Sequence, residues 1–161
     1  MKQQIILMSL LTALVMMAGG CGKPEYEPSP YVDTVLAAPE GVTLTVEEIK
    51  NPGGGWTCGG TFTLKNDGDQ TVCYGDRNLL EWKGEDDSGW YSLISYAQRT
   101  MSEPEYMLSP GEEVSYETTW EHLKDGLYRY VMPVYLAPEG RPAEDETGYL
   151  LWTEFSTMDL S

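Results

Sequence analysis

From Gly41 onward, apolar and polar residues alternate with the period of two that a half-buried strand requires. Val42, Leu44 and Val46 fall on one face, and Thr43, Thr45 and Glu47 on the other. Asn51-Pro52-Gly53-Gly54-Gly55 ends the run, because proline lacks an amide donor and glycine leaves the backbone unrestrained. A second strand is predicted through Thr61-Phe62-Thr63-Leu64, closed by Asn66-Asp67-Gly68-Asp69, whose residue types tolerate turn dihedrals. If those four residues make a simple hairpin, Lys65 faces Gln70 and Cys73 faces Phe62. Further strands are predicted at Leu79-Leu80-Glu81-Trp82, at Trp90 to Ile94, from Val114 to Trp120, from Leu127 to Leu136 and from Tyr149 to Phe155. Short β-branched and aromatic segments at this spacing, with no amphipathic helical period, predict an all-β antiparallel sandwich of about seven strands over residues 41–161.

The amino terminus follows a different pattern. Lys2 precedes an uncharged, mostly apolar run from Ile5 to Met17, which ends in Ala18-Gly19-Gly20-Cys21. This is the layout of a signal peptide over residues 1–20, and it is shorter than the roughly 20 apolar residues a spanning helix needs. Small residues directly before a cysteine resemble the lipobox of bacterial lipoproteins, although Ala18 stands where that motif usually has leucine. The resemblance implies lipidation of Cys21 with palmitate-like chains and residence at the cell membrane, outside the cytoplasm. At about 0.8 kcal/mol per buried methylene, two or more chains hold where one holds only reversibly. The plainer alternative is an ordinary secretory signal with Cys21 unmodified. Residues 22–40, with Pro24, Pro28, Pro30 and Pro39 among acidic and small residues, read with Cys21 as a flexible tether. The short apolar stretch from Val32 to Ala37 is its one candidate edge strand.

Charge narrows the partners. The 161-residue chain carries a formal charge of -16, which becomes -17 once Lys2 leaves with the signal. Such an excess repels phosphate backbones and anionic headgroups, so nucleic acid is excluded as a partner and contact with the membrane falls to the acyl anchor. One domain of ordinary size fits the remaining length.

Several short segments then fall in a recognisable order: Leu64-Lys65-Asn66-Asp67, Tyr74-Gly75, Leu80-Glu81, Gly89-Trp90-Tyr91, Leu108-Ser109-Pro110-Gly111-Glu112 and Gly126-Leu127-Tyr128-Arg129. Together they resemble a bacterial immunoglobulin-like domain over residues 41–158. The resemblance implies a sandwich found in exported and anchored proteins, usually without an assigned activity. Within it Tyr128 is the candidate tyrosine corner, a buried ring whose hydroxyl bonds back to the upstream backbone. Trp82 and Trp90 are candidate fillers of the space between sheets. The turn from Leu108 to Gly111 and the Gly126-x-Tyr128 segment are also similar to a bacterial intracellular proteinase inhibitor family, which makes an exported inhibitor the alternative reading.

Candidate chemistry is sparse. Cys58 and Cys73 form an even pair in an exported chain, either as a disulfide or as two small buried thiols. His122 is the only histidine, so a multi-imidazole zinc site is excluded, and no Gly-x-Ser-x-Gly or Ser-x-x-Lys pattern suggests an activated serine. With 26 acidic residues no carboxylate pair stands out. Asn66 to Asp69, Glu85-Asp86-Asp87 and Glu144-Asp145-Glu146 concentrate oxygen ligands without the twelve-residue calcium-loop pattern. Trp56, Trp120 and Trp152 are candidate stacking platforms that a small core also needs. The expectation is a non-catalytic binding or structural module without metal or cofactor. Its partner would be a protein or envelope polymer met through loops or a sheet edge.

Overall fold

A computed structural model of the protein describes residues 26–31, 37–50, 57–75, 78–84, 89–93, 106–137 and 148–158. The signal segment, Cys21, Trp56, the acidic runs 85–87 and 144–146, and most of the Val32 to Ala37 stretch lie outside them.

Ten strands form among the described residues. They are β1 (Tyr26–Pro28), β2 (Val42–Lys50), β3 (Thr57–Asn66), β4 (Val72–Tyr74), β5 (Leu79–Lys83), β6 (Trp90–Leu93), β7 (Tyr106–Leu108), β8 (Glu113–Glu121), β9 (Leu127–Leu136) and β10 (Tyr149–Ser156). The small sheet runs β2-β3-β8. The large sheet runs β1-β6-β5-β9-β4-β7, with β10 on the other flank of β9. Every pairing is antiparallel. Strand β9 is the spine of the large sheet: β5 covers Tyr128 to Val131, β4 covers Val134 to Leu136, and β10 pairs along eight residues opposite.

The two inner faces meet in one apolar core. Phe62, Leu64, Val72, Leu80, Tyr128, Met132, Val134 and Leu151 are almost fully enclosed there. At about 1.5–3 kcal/mol for each large apolar side chain withdrawn from water, this burial is the main term opposing chain entropy. Phe62 sits among the rings of Tyr116, Trp120, Tyr130 and Phe155, with centroids 4.4 to 6.1 Å away. These offset and edge-to-face arrangements suit the ring quadrupoles.

The structure is all-β and sandwich-like, and it corrects three expectations. First, the chain carries more than about seven strands, because β1, β4 and β7 are three-residue strands without a legible alternation. Second, Asn66 to Asp69 does not close a hairpin. Strand β3 pairs with β2 and β8, and the turn carries the chain from the small sheet across to β4 in the large one. Third, the tether over residues 21–40 is not flexible throughout. Tyr26, Glu27 and Pro28 pair with Leu93, Ser92 and Tyr91, and the Ser29 amide donates to the Trp90 carbonyl at 2.9 Å. Further on, the Ala37 carbonyl accepts from the Leu150 amide at 3.1 Å.

Candidate functional site

The outer face of the large sheet carries a polar row that the core face lacks. Strand register places Glu27, Ser92, Glu81, Arg129 and Glu154 side by side across β1, β6, β5, β9 and β10. The central three are buried: Glu81 and Ser92 are fully enclosed and Arg129 is nearly so. Arg129 Nε donates to Glu81 Oε2, and Ser92 Oγ donates to Glu81 Oε1 at 3.2 Å. The Arg129 guanidinium lies 4.4 Å from the centroid of Trp90, and Lys83 Nζ lies 5.5 Å from the same ring. Trp90 therefore covers this ion pair rather than filling the space between the sheets, which Trp82 does. A carboxylate enclosed against a guanidinium this way holds neighbouring strands in register.

The lower end of the sandwich is organised by the loop between β8 and β9. Tyr128 is fully buried, and its hydroxyl donates to the Lys124 carbonyl at 2.9 Å, the geometry of a tyrosine corner. Burial pushes its phenol far above the usual tyrosine range. Lys124 Nζ lies over both the Tyr26 and Trp82 rings, at 4.7 and 4.5 Å. His122, in the same loop, takes a left-handed φ of 58°.

The cysteines stand apart. Cys58 pairs with Trp120 in the small sheet, while Cys73 lies between Met107 and Tyr135 in the large one. Both are buried and neither takes part in a disulfide. Cys58 lies eight residues along β3 from Asn66, roughly 25 Å at strand rise. Cys73 lies next to Val72, whose partner Leu108 offers the carbonyl that the Asn66 side chain binds. The two are therefore held near opposite ends of the sandwich, beyond the roughly 7 Å Cα separation that a bridge tolerates. Burial also raises the Cys58 thiol above its usual range, which suppresses the reactive thiolate.

Asn66, read from the sequence as part of an ordinary solvated turn, instead points inward and is fully buried. Its Nδ2 donates to the Gln70 and Leu108 carbonyls at 2.8 and 2.9 Å, and its Oδ1 accepts from the Gly68 amide at 3.0 Å. Among the described residues no group of three metal-ligating side chains converges.

The outer face of the small sheet is a polar ladder. Thr63 Oγ1 donates to Glu47 and shares a 2.7 Å hydrogen bond with Ser115 Oγ. Lys50 pairs with Glu48 at 2.7 Å and Lys65 with Asp67 at 2.9 Å, contacts that hold both ammonium groups above their usual range. Gly59 leaves a shallow open depression between Lys50 and Thr119. Trp120 is core, whereas Trp152 on β10 is 40% exposed and remains available for stacking. Glu81 and Arg129 are not legible as a pair in the sequence. A charged residue at a strand position between buried neighbours was their only signal.

The chain is similar to several solved structures at low identity. A structural genomics target, SoR45, is 11% identical with a TM-score of 0.46, over 75% of this chain and 90% of its own. A β-glucosidase from Kluyveromyces marxianus, solved with glucose, is 13% identical with a TM-score of 0.30 over 71% of this chain. β-Glucosidase 3B from Thermotoga neapolitana, solved with α-D-glucose, is 11% identical with a TM-score of 0.28 over the same share. The chain spans only 14% and 17% of those two enzymes. The search of curated proteins returned no match. The bacterial Ig-like domain model matches residues 38–148, well over half of the sequence and strands β2 to β9, and the chain belongs to that family.

Proposed function

We propose that this protein is a non-catalytic binding or structural module, anchored outside the cytoplasm by acyl chains on Cys21 and held close to the membrane. Membership of the bacterial Ig-like family supports the coarse part of this reading. The organisation of the polar residues agrees: the enclosed Glu81, Arg129 and Asn66 are committed to one another and to the backbone.

The observation that carries the reading is the spacing between Cys21 and β1. Cys21 directly follows Ala18-Gly19-Gly20 at the end of the apolar run, and the large sheet begins five residues later at Tyr26. Five residues reach at most about 18 Å, so the module stands beside the bilayer rather than on a long stem. Metabolic labelling with palmitate, followed by fractionation, tests the anchor. Label should enter the membrane fraction with the wild-type chain and be lost with Cys21→Ser. An unlabelled, unprocessed wild-type chain would end this reading. Crosslinking in the native cell tests the binding half, which fails if no specific partner is recovered.

A further inference from the structure

Sheet edges expose unpaired N–H and C=O groups that pair with any passing strand, so folded proteins blunt them. Most edges here are blunted by shape. Strands β1 and β7 have three residues each. Strand β2 carries a bulge between Val46 and Glu48. Strand β10 has the Ala37 carbonyl bonded to Leu150 beside it.

Strand β8 is different. Its nine residues pair with β3 in unbroken register on one side, contain no proline, and have no strand on the other side among the described residues. Charge is what protects it. Glu113, Glu117 and Glu121 recur at every fourth position and are all exposed on the outer face. Two copies of β8 meeting antiparallel in full overlap would set Glu117 against Glu117 and Glu113 against Glu121, and like charges directly opposite are destabilising. The lysines of this face offset the row only in part, because Lys50 is paired with Glu48 while also feeling Glu117, and Lys65 is paired with Asp67 while also feeling Glu113. The device repels a second copy of this chain and attracts a strand of opposite charge.

We propose that the edge of β8 opposite β3 is a docking site for an extended polypeptide segment with lysine or arginine at alternate positions, which adds as a fourth strand to the β2-β3-β8 sheet. The proposal deepens the binding-module reading and rests on it. Nine residues give roughly 30 Å of edge. Main-chain hydrogen bonds supply affinity, and the guest's alternate side chains, lying beside the glutamates, supply selectivity.

The test titrates the full chain in detergent with a peptide of alternating lysine and valine. Two controls accompany it: the same peptide N-methylated at the residues that would donate to β8, and one with glutamate for lysine. The unmodified basic peptide should bind about tenfold or more tighter than either control, and Glu117→Lys should weaken it by about the same factor. Equal binding of the N-methylated peptide, or no binding of the basic one, overturns the proposal. Independently, neutralising the row with Glu113→Gln, Glu117→Gln and Glu121→Gln should let the chain dimerise in sedimentation. A triple variant that stays monomeric removes the argument that charge guards this edge. A partner crosslinked in cells through residues away from β8 overturns the docking site and leaves the module reading standing.

Discussion

Glu81 and Arg129 face each other across β5 and β9, and their ion pair is enclosed on the outer face of the large sheet, with side chains 0% and 9% exposed. Removing one partner of such a pair leaves a buried charge uncompensated, at about 3–5 kcal/mol. Glu81→Ala should therefore lower unfolding free energy by that amount in urea melts at neutral pH. Replacing both, as Glu81→Leu with Arg129→Met, should recover most of the loss, because an apolar pair needs no desolvation. A Glu81→Ala variant within about 1 kcal/mol of wild type would show the pair to be solvated.

Asn66, the last residue of β3, holds the following turn with two hydrogen bonds and ties it to β7 in the opposite sheet with a third. Asn66→Ala leaves the Gln70 and Leu108 carbonyls and the Gly68 amide short of a partner, and each such loss costs about 1–3 kcal/mol. The expected destabilisation is about 3 kcal/mol or more by chemical denaturation. Asn66→Asp keeps the shape but removes both donors and sets a charge before two carbonyls, so it should be at least as damaging. If it were tolerated, shape and not bonding would be the role of this residue.

Gly126 opens β9 with a φ of 152°, and a Cβ there would lie 2.6 Å from Trp82 Nε1. Gly126→Ala should cost about 2 kcal/mol or more, through strain at a φ that other residues resist together with this collision. Tyr128→Phe removes the hydroxyl that donates to Lys124 and keeps the ring, and should cost about 1 kcal/mol. Thermal melts of the two variants should rank them in that order. The reverse order would make the hydroxyl, rather than the tight approach to Trp82, the stronger constraint at this corner.

How much of this was legible depended on how local each signal was. The alternation of Val42, Leu44 and Val46 and the long apolar course of β9 follow from period alone, and both strands form where it places them. The Gly-x-Tyr segment located Tyr128, because a tyrosine corner is built within four residues of chain. Tyr26 to Pro28 reads as tether in the sequence, since a three-residue strand is specified by its partner β6 and not by its own pattern. Asn66 carried ordinary turn chemistry, and nothing in four residues tells a hairpin from a crossing between sheets. Glu81 was one of 26 acidic residues until register put Arg129 opposite.

Stability should also fall steeply in alkali, and the sign follows from burial. Tyr128 is fully buried and Tyr116 is partly buried with its hydroxyl enclosed, which pushes both phenols far above the ordinary value of 10.0. In the unfolded chain they titrate near that value. A raised folded-state pKa contributes stability that is complete below about pH 10 and is lost as pH climbs above it, since only the unfolded chain then releases the protons. Each phenol contributes a slope of up to about 1.4 kcal/mol per pH unit. The buried Cys58 thiol shifts in the same direction and starts the decline nearer pH 9. Urea midpoints measured from pH 7 to 11 should be level at first and then drop. In the variant carrying Tyr116→Phe with Tyr128→Phe, the drop should be shallower. Because neither phenol can ionise while enclosed, the tyrosinate absorbance of these two residues should rise together with the loss of the β signal in circular dichroism. An absorbance rise completed before that loss would mean that both rings reach solvent in the folded sandwich.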